Sequence, residues 1–242
     1  MSSKRADYGI DAPKIIRFYF LCGIILLCVG FSLPFAKFIH FKRLIIEIIL
    51  IVFGFISVLI AALRYNYSIN GKLSHRDRLI NFIPWKGDER VLDIGTGRGL
   101  MMIGAAKKII GGIATGIDVW NDDDLSGNDI ENARVNVLRE SVSHKTVIKH
   151  DDARKLSFPD ASFDIVFSNN SLHCIEDKSG RKKACKEIIR VLKPGGIAII
   201  SDFKFMDEYT SSFQKDGHQV NSKGKYWLQT FPPMSIIEVR KV

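Results

Sequence analysis

Two long apolar runs lie near the start of the chain. The first, residues 15–36, carries a single charge near its beginning, and the second, residues 44–63, is interrupted only by Glu47. Each run is about 20 residues long, which is the length a helix needs to cross roughly 30 Å of hydrocarbon. We therefore predict two transmembrane helices within a membrane anchor that covers residues 1–68.

A cleaved signal peptide is the alternative interpretation of the first run. Its apolar core exceeds the usual length of about 7–15 residues, no A-x-A-like cleavage site follows, and a second apolar run comes at once. These features favour a retained hairpin with both outer flanks on one side of the membrane, which we assign to the cytosol. The alternative is a hairpin that enters one leaflet without crossing the membrane, which would explain why the connection is also basic (Lys37, His40, Lys42, Arg43).

Beyond the anchor, short apolar runs alternate with amphipathic helical segments. The predicted strands are residues 91–94, 114–118, 146–149, 165–168 and 197–201, and the helices between them are residues 101–110, 130–142 and 181–192. This alternation predicts a parallel sheet covered by helices on both faces. A helix over 73–83, after a break at Gly71, precedes the sheet, and strands at 226–231 and 236–242 form an edge hairpin. Residues 69–242 are thus predicted to be one α/β domain.

The basic charge of the protein belongs to its apolar N-terminal third. The chain has a net charge of +9, yet the first 78 residues hold 11 Lys and Arg against 4 Asp and Glu, which leaves 24 against 22 for the rest. This distribution indicates contact with anionic membrane lipids and argues against nucleic-acid binding by the domain. The cysteines lack metal-ligand spacing, so we expect reduced thiols and no metal (Cys22, Cys28, Cys174, Cys185).

A glycine-rich turn follows the first predicted strand. Gly95, Gly97 and Gly99 alternate with other residues after Asp93, so the chain can turn tightly and a ligand can lie against the backbone. The dinucleotide-binding fingerprint is G-x-G-x-x-G, whereas the spacing here is G-x-G-x-G. Asp93 would repel a pyrophosphate and would suit an amino-bearing ligand. Both features disfavour a nicotinamide-dependent oxidoreductase, which remains an alternative.

Polar residues stand at the ends of the following strands. A carboxylate in the position of Asp118 typically accepts both hydroxyls of a ribose. Asp152 and Ala153 follow the third strand, where a side chain could meet the exocyclic amine of an adenine, and Ser168 and Asn169 end the fourth. Ligands of open α/β sheets bind at this carboxyl edge.

These motifs as a set resemble class I S-adenosylmethionine-dependent methyltransferases, most closely the ubiquinone/menaquinone-type branch that acts on small molecules. The residues that carry the resemblance are Asp93 with its three glycines, Asp118, Asp152-Ala153, Phe158-Pro159-Asp160, Phe163-Asp164 and Leu192-Lys193-Pro194-Gly195-Gly196. The resemblance covers about residues 85–201. It implies a Rossmann-like seven-stranded methyltransferase sheet, here preceded by two transmembrane helices, and S-adenosyl-L-methionine as the cofactor.

The resemblance also implies residue roles in cofactor binding. Asp93 and the glycines Gly95, Gly97 and Gly99 would hold the methionyl part. Asp118 would bind the ribose hydroxyls, with Val119 beside the adenine, and Asp152 would accept from the adenine amine next to Ala153. Ser168 and Asn169 would lie under the methionine. Arg98 stands where the family often has a small residue, so it either turns outward or reaches the methionine carboxylate.

Methyl transfer from a sulfonium depends mainly on positioning. An acceptor hydroxyl or thiol can need a base, and His173 is the candidate by location, with packing over the cofactor as the alternative. We interpret Cys174 and Trp120 as packing residues and the run 122–124 as solvent-facing carboxylates.

The sequence thus predicts an integral membrane methyltransferase whose catalytic domain faces the cytoplasm. Its expected partners are membrane lipids and a small methyl acceptor of soluble, amphipathic or lipidic character, with no nucleic acid and no metal. The alternative from another class is an S-adenosylmethionine-binding membrane protein without catalysis, such as a sensor or an assembly partner.

Overall fold

The computed structural model describes residues 5–32, 40–121, 124–227 and 229–242. For residues 40–43 it describes the backbone only. Helices α1 (Pro13–Ser32) and α2 (His40–Asn66) pack against each other along their length. Glycines allow the close approach: a Cβ at Gly23 would lie 2.7 Å from a methyl of Val58. Both helices are long and apolar enough to cross a membrane, and only 11% of each apolar window is buried. Their apolar side chains therefore face outward.

The observed helices differ from the predicted ones at their ends. Helix α1 begins at Pro13, and residues 33–36 of the predicted first helix lie outside the described residues. The predicted break at Gly71 is wrong, because a π-helical turn (Tyr67–Gly71) joins α2 directly to α3 (Lys72–Asn81). A Cβ at Gly71 would lie 2.7 Å from the Tyr67 ring, so glycine lets the turn stay closed.

The domain is built on one seven-stranded sheet. Its strands are β1 (Arg90–Ile94), β2 (Ile113–Asp118), β3 (Thr146–His150), β4 (Phe163–Asn169), β5 (Leu192–Asp202), β6 (Gln219–Tyr226) and β7 (Met234–Arg240). They lie in the order β3-β2-β1-β4-β5-β7-β6, and β7 runs antiparallel to the other six strands. The predicted α/β fold with seven strands is confirmed.

Four helices connect the strands and bury their apolar sides against the two faces. They are α4 (Leu100–Ala106), α5 (Ile130–Arg139), α6 (Lys178–Val191) and α7 (Met206–Lys215). One apolar cluster joins α3 and α4 to the sheet through Leu79 and Met102, and the other joins α6 and α7 through Ile188 and Phe213. This packing leaves the carboxyl ends of the parallel strands open as a ligand-binding edge.

Two elements of the C-terminal part correct the sequence interpretation. The sixth strand occupies Gln219–Tyr226, whereas residues 226–231 were predicted, and α7 was not predicted at all. Strand β6 is a polar edge strand in which Lys225 is exposed, and it lacks the apolar alternation by which strands are recognised.

Residues 5–12, which we call the N-terminal strap, cross the domain before α1 begins. Tyr8 is buried in the core, and its hydroxyl donates to Glu140 at 3.1 Å. The amide of Asn136 donates to the Asp7 carbonyl at 2.7 Å, and Lys72 Nζ donates to the Tyr8 carbonyl, also at 2.7 Å. Because the strap leads into α1 and α3 continues from α2, both outer ends of the helical pair are attached to the same domain.

Candidate functional site

A cleft of about 750 Å³ opens at the carboxyl ends of β1, β2 and β4 and continues to the base of the paired helices. This volume lies within the range of small-molecule sites, ~300–1,000 Å³. The predicted site residues that line it are Asp93, Gly95, Gly97, Asp118, Val119, Asp152, Ala153, Asn169 and His173. The fold thus brings most of the predicted residues together, and the role given to each stays a prediction.

Gly99 and Ser168 do not line the cleft. Gly99 has φ +87° and directly precedes α4, so its role in this structure is to let the chain turn into the helix. The Ser168 hydroxyl is buried and has no hydrogen-bond partner among the described residues. Contact of Ser168 with a methionine would need a different orientation of its side chain.

Asp93 is a buried carboxyl at the base of the glycine turn. Its Oδ2 accepts hydrogen bonds from Thr96 Oγ1 at 2.7 Å and from the backbone N–H of Met102 at 2.8 Å. Burial raises the pKa of Asp93 to about 7, against the lowering effect of these two donors, and the charge of Asp118 adds to the rise. A cationic amino group in the cleft would favour the ionised form.

The glycine turn lies against the end of β2. Asp118 Oδ2 accepts from the Gly97 N–H at 2.9 Å, and its Oδ1 accepts from the Trp120 N–H at 2.8 Å. Gly95 has φ +71°, and a Cβ there would lie 1.8 Å from Ser171 Oγ. Glycine at position 95 is therefore required by the backbone conformation and by the side chain across the turn.

Arg98 lines the cleft, and its side chain is largely buried. Its Nη2 pairs with Asp7 of the N-terminal strap at 3.0 Å, and its Nη1 donates to the carbonyl of Ser126 at 3.3 Å. Through the ion pair with Asp7, Arg98 holds the strap beside the cleft.

Two further predicted residues, Asp152 and Asn169, differ in whether a protein group already binds their side-chain oxygens. Asp152 is held by Arg154, whose Nη2 donates to Oδ2 at 2.6 Å, and this bond lowers the pKa of the carboxyl. Asn169 and Asn170 line the cleft, and the Oδ1 atom of each is buried without a partner among the described residues. A buried acceptor without a partner needs an explanation, and a donor group of a bound ligand or a water would supply one.

His173 stands beside a carboxylate that the sequence analysis missed. Its Nδ1 lies 2.9 Å from Oδ1 of Asp202, a residue that is 1% exposed at the end of β5. The Asp202 carboxylate also accepts from the backbone N–H groups of His173 and Phe203. The Phe203 ring packs edge-on against the imidazole, with 4.5 Å between centroids. The signal for Asp202 was its place at the carboxyl end of the fifth strand.

Cys174 follows His173, and its Sγ lies 3.6 Å from His173 Nε2. Burial raises the pKa of this thiol well above its usual value, so Cys174 is a neutral thiol at physiological pH. No group of three or more His, Cys, Asp or Glu in the described part of the chain could hold a metal ion. Of the acidic run 122–124, residues 122 and 123 lie outside the described residues.

The polar groups of the cleft fit S-adenosylmethionine. Asp93 offers a carboxyl to an α-amino group, and Asp118 offers carboxylate oxygens at the position where a ribose binds in related sheets. Gly95 and Gly97 have φ of +71° and +51°, and a Cβ at either would lie within 2.7 Å of the Ser171 or Leu125 side chain, so this turn of the cleft wall needs glycine at both positions. The orphaned Asn169 acceptor adds a further polar group to the wall.

Comparison with known proteins agrees with this assignment. The sequence profile of a family described as "Methyltransferase domain" matches residues 92–200, which include β1 to β5 and the glycine turn. Residues 92–200 therefore match a methyltransferase domain, and this match implies S-adenosyl-L-methionine as the cofactor of that domain. The predicted cofactor is confirmed.

Named relatives share this domain. The 27-O-demethylrifamycin SV methyltransferase of Amycolatopsis mediterranei is 31% identical over 62% of this chain and 51% of the relative. The sterol 24-C-methyltransferase erg6 of Aspergillus fumigatus is 33% identical over 56% of this chain and 33% of the relative. The chain thus spans about half of the length of the first relative and a third of that of the second.

A solved structure confirms the fold. The crystal structure of a SAM-dependent methyltransferase from Aquifex aeolicus superimposes with a TM-score of 0.56 at 19% identity, over 71% of this chain and 92% of the other. The covered fraction of this chain corresponds in size to the domain without the paired apolar helices.

Proposed function

We propose that this protein is a membrane-anchored methyltransferase that transfers a methyl group from S-adenosylmethionine to a small amphipathic or lipidic acceptor. The observation that carries the proposal is the extent of the cleft. Its wall includes Asp93 and Asp118 of the strand ends, Ile15 and Arg64 of the paired apolar helices, and Tyr67 just after α2. In this proposal an acceptor held at the membrane surface enters the cleft beside the helices and meets the cofactor there.

The exterior of α1 and α2 supports the membrane location. Large apolar side chains on both helices, among them Phe18, Ile25 and Phe53, are about half exposed or more. A soluble protein rarely exposes so large an apolar surface. The basic residues near the domain-side ends of the helices favour the cytoplasmic side for the domain.

The acceptor class follows from where the domain is held. An anchor confines the active site to the membrane surface and raises the effective concentration of acceptors that partition there. The name of one relative is that of a sterol methyltransferase, and this agrees with an apolar acceptor. The substrate of the present protein remains part of the proposal.

The chain provides the means to remove a proton from an acceptor hydroxyl. The bound cofactor supplies an electrophilic methyl group on a sulfonium. The Asp202 carboxylate stands beside the His173 ring, with 2.9 Å between Oδ1 and Nδ1, although the contact does not have the geometry of a hydrogen bond. The ring of Phe203 holds the imidazole in place. His173 then takes the acceptor proton while Asp202 stabilises the imidazolium that forms.

Calorimetric titration of the detergent-purified protein with S-adenosylhomocysteine, and with NADH for comparison, tests the cofactor. We expect micromolar binding of S-adenosylhomocysteine alone, and at least about tenfold weaker binding by Asp118→Ala, since one charge-assisted bond is lost. Asp160→Ala is the matched control, because this carboxylate is exposed and lies outside the cleft. Binding of NADH instead, or of neither ligand, would refute the proposal.

Membrane attachment is tested separately by flotation of the full-length chain with liposomes. We expect the protein to float with the liposomes and to resist extraction at high salt and alkaline pH. A variant without residues 1–64 should stay in the soluble fraction. If the shortened protein still floats, the paired helices are not the anchor.

A further inference from the structure

Arg64 occupies an unusual position in the cleft. It lies in the last turn of α2, and it lines the same cleft as the glycine turn. Its guanidinium carbon stands 5.8 Å from the centroid of the Phe231 ring. The Nε atom is buried and has no hydrogen-bond partner among the described residues. This nitrogen of the guanidinium therefore has no protein acceptor in the described part of the chain.

Three of the four other cations that line the cleft have a carboxylate at ion-pair distance, and the fourth, Lys204, is exposed. Lys72 donates to the carbonyls of the N-terminal strap and lies 3.5 Å from Asp11. Arg98 is paired with Asp7, and Arg154 with Asp152. Within the described ranges, Arg64 is partly buried and has no carboxylate at ion-pair distance. Removing part of a charge from water without a partner costs free energy, and an anionic ligand would offset that cost.

The surroundings of Arg64 combine this charge with apolar surface. Ile15 at the start of α1, Tyr67 just after α2, and Phe231 with Pro232 line the cleft together with Arg64. Beyond them the outer faces of both helices are apolar and exposed. A ligand that carries an anionic group and a long apolar tail fits this arrangement, because the tail can follow the helices while its charged end meets the guanidinium.

We propose that Arg64 binds the anionic group, a phosphate or a carboxylate, of an amphiphilic acceptor whose apolar tail stays in the bilayer. The inference rests on the proposed function and names the substrate class of the same cleft. The planar guanidinium can bind two oxygens of such a group at once. Arg64 would thus set the depth at which the acceptor lies, so that its reactive atom reaches the cofactor end of the cleft.

The test measures binding of simple probes to the full-length protein in a neutral detergent, saturated with S-adenosylhomocysteine. The probes are dodecyl phosphate, dodecyl trimethylammonium and inorganic phosphate, titrated calorimetrically. The variants are Arg64→Gln, Arg64→Lys and the control Arg17→Gln, because Arg17 is an exposed basic residue of α1 and does not line the cleft. S-adenosylhomocysteine titration of each variant reports on the fold and on the cofactor site.

We expect dodecyl phosphate alone to bind the wild-type protein, Arg64→Gln to weaken this binding at least about tenfold, and Arg64→Lys to weaken it less. Arg17→Gln should stay within about twofold, and all variants should bind S-adenosylhomocysteine normally. Equal losses in Arg64→Gln and Arg17→Gln would reveal unspecific attraction and overturn the inference. Binding of inorganic phosphate as tight as that of dodecyl phosphate would indicate a free-anion site and would also overturn it.

Two further outcomes separate the causes of failure. If Arg64→Gln weakens the binding of S-adenosylhomocysteine as strongly as that of dodecyl phosphate, Arg64 belongs to the cofactor site. The inference is then wrong, while the proposed function stands. If the wild-type protein does not bind S-adenosylhomocysteine at all, the proposed function itself fails.

Discussion

The buried carboxyl of Asp93 gives the cofactor site a pH dependence that can be measured directly. In the free protein, burial raises the pKa of this group to about 7, so half of the molecules carry a protonated Asp93 at neutral pH. The amino group of the cofactor is cationic and favours the carboxylate. Binding should therefore become tighter as the pH rises through 7, and each bound molecule should displace a proton from the protonated fraction.

The size of the effect follows from this pKa. If only the ionised form binds, the binding-competent fraction is about a tenth at pH 6 and about nine tenths at pH 8, so the affinity should rise roughly tenfold between them. Thr96 and Met102 donate to the same oxygen in the free protein, and they remain to orient the carboxylate. The interaction thus depends on the charge of Asp93 and needs no rearrangement of its hydrogen bonds.

Calorimetric titration with S-adenosylhomocysteine from pH 6 to pH 8 measures this dependence, and two buffers of different ionisation enthalpy count the protons released. The variant Asp93→Asn keeps the shape and loses the charge, so its affinity should be lower and independent of pH. His173→Gln is the control and should retain the slope, because His173 belongs to the acceptor side of the proposal. A constant affinity in the wild-type protein would refute the role given to Asp93.

Three other substitutions test separate parts of the account. Gly95→Ala should lower S-adenosylhomocysteine affinity more than about tenfold through the clash with Ser171, whereas Gly217→Ala, at φ +85° with open space around it, should leave calorimetric binding unchanged. His173→Gln should reduce turnover about a hundredfold in a radiolabel transfer assay with cofactor affinity within about twofold, and full turnover would exclude it as the base. Tyr8→Ala should destabilise the domain by about 3 kcal/mol in denaturant unfolding, since a buried ring is lost, and an unchanged midpoint would mean that the strap is not part of the core.

The parallel core of the sheet could be predicted from the sequence because its strands are buried on both faces. Strands β1, β2 and β4 are short, continuous apolar runs, and the glycine turn marks the end of the first. Strand β6 could not be found in this way, because it lies at the edge and its composition is polar. Helix α7 does carry a signal, since Tyr209 and Phe213 stand four residues apart and both are buried.

The candidate site was predictable where the residues follow strands and was missed where tertiary packing brings them in. Asp118 and Asn169 end strands, so their position at the carboxyl edge follows from the topology. The N-terminal strap lies 57 or more residues from its partners along the chain, and its contacts leave no local pattern. The place of Arg64 in the cleft could not be predicted, because it depends on how α2 meets the domain.

The central claim is that this chain transfers a methyl group to a membrane-resident acceptor. Incubation of the purified full-length protein with S-adenosylmethionine labelled in the methyl group, together with a membrane lipid extract, tests it most directly. We predict that label enters the organic phase with the wild-type protein and is lost with Asp118→Ala. Tight S-adenosylhomocysteine binding with no label in the lipid fraction would contradict the claim and would favour a cofactor-binding membrane protein without catalysis.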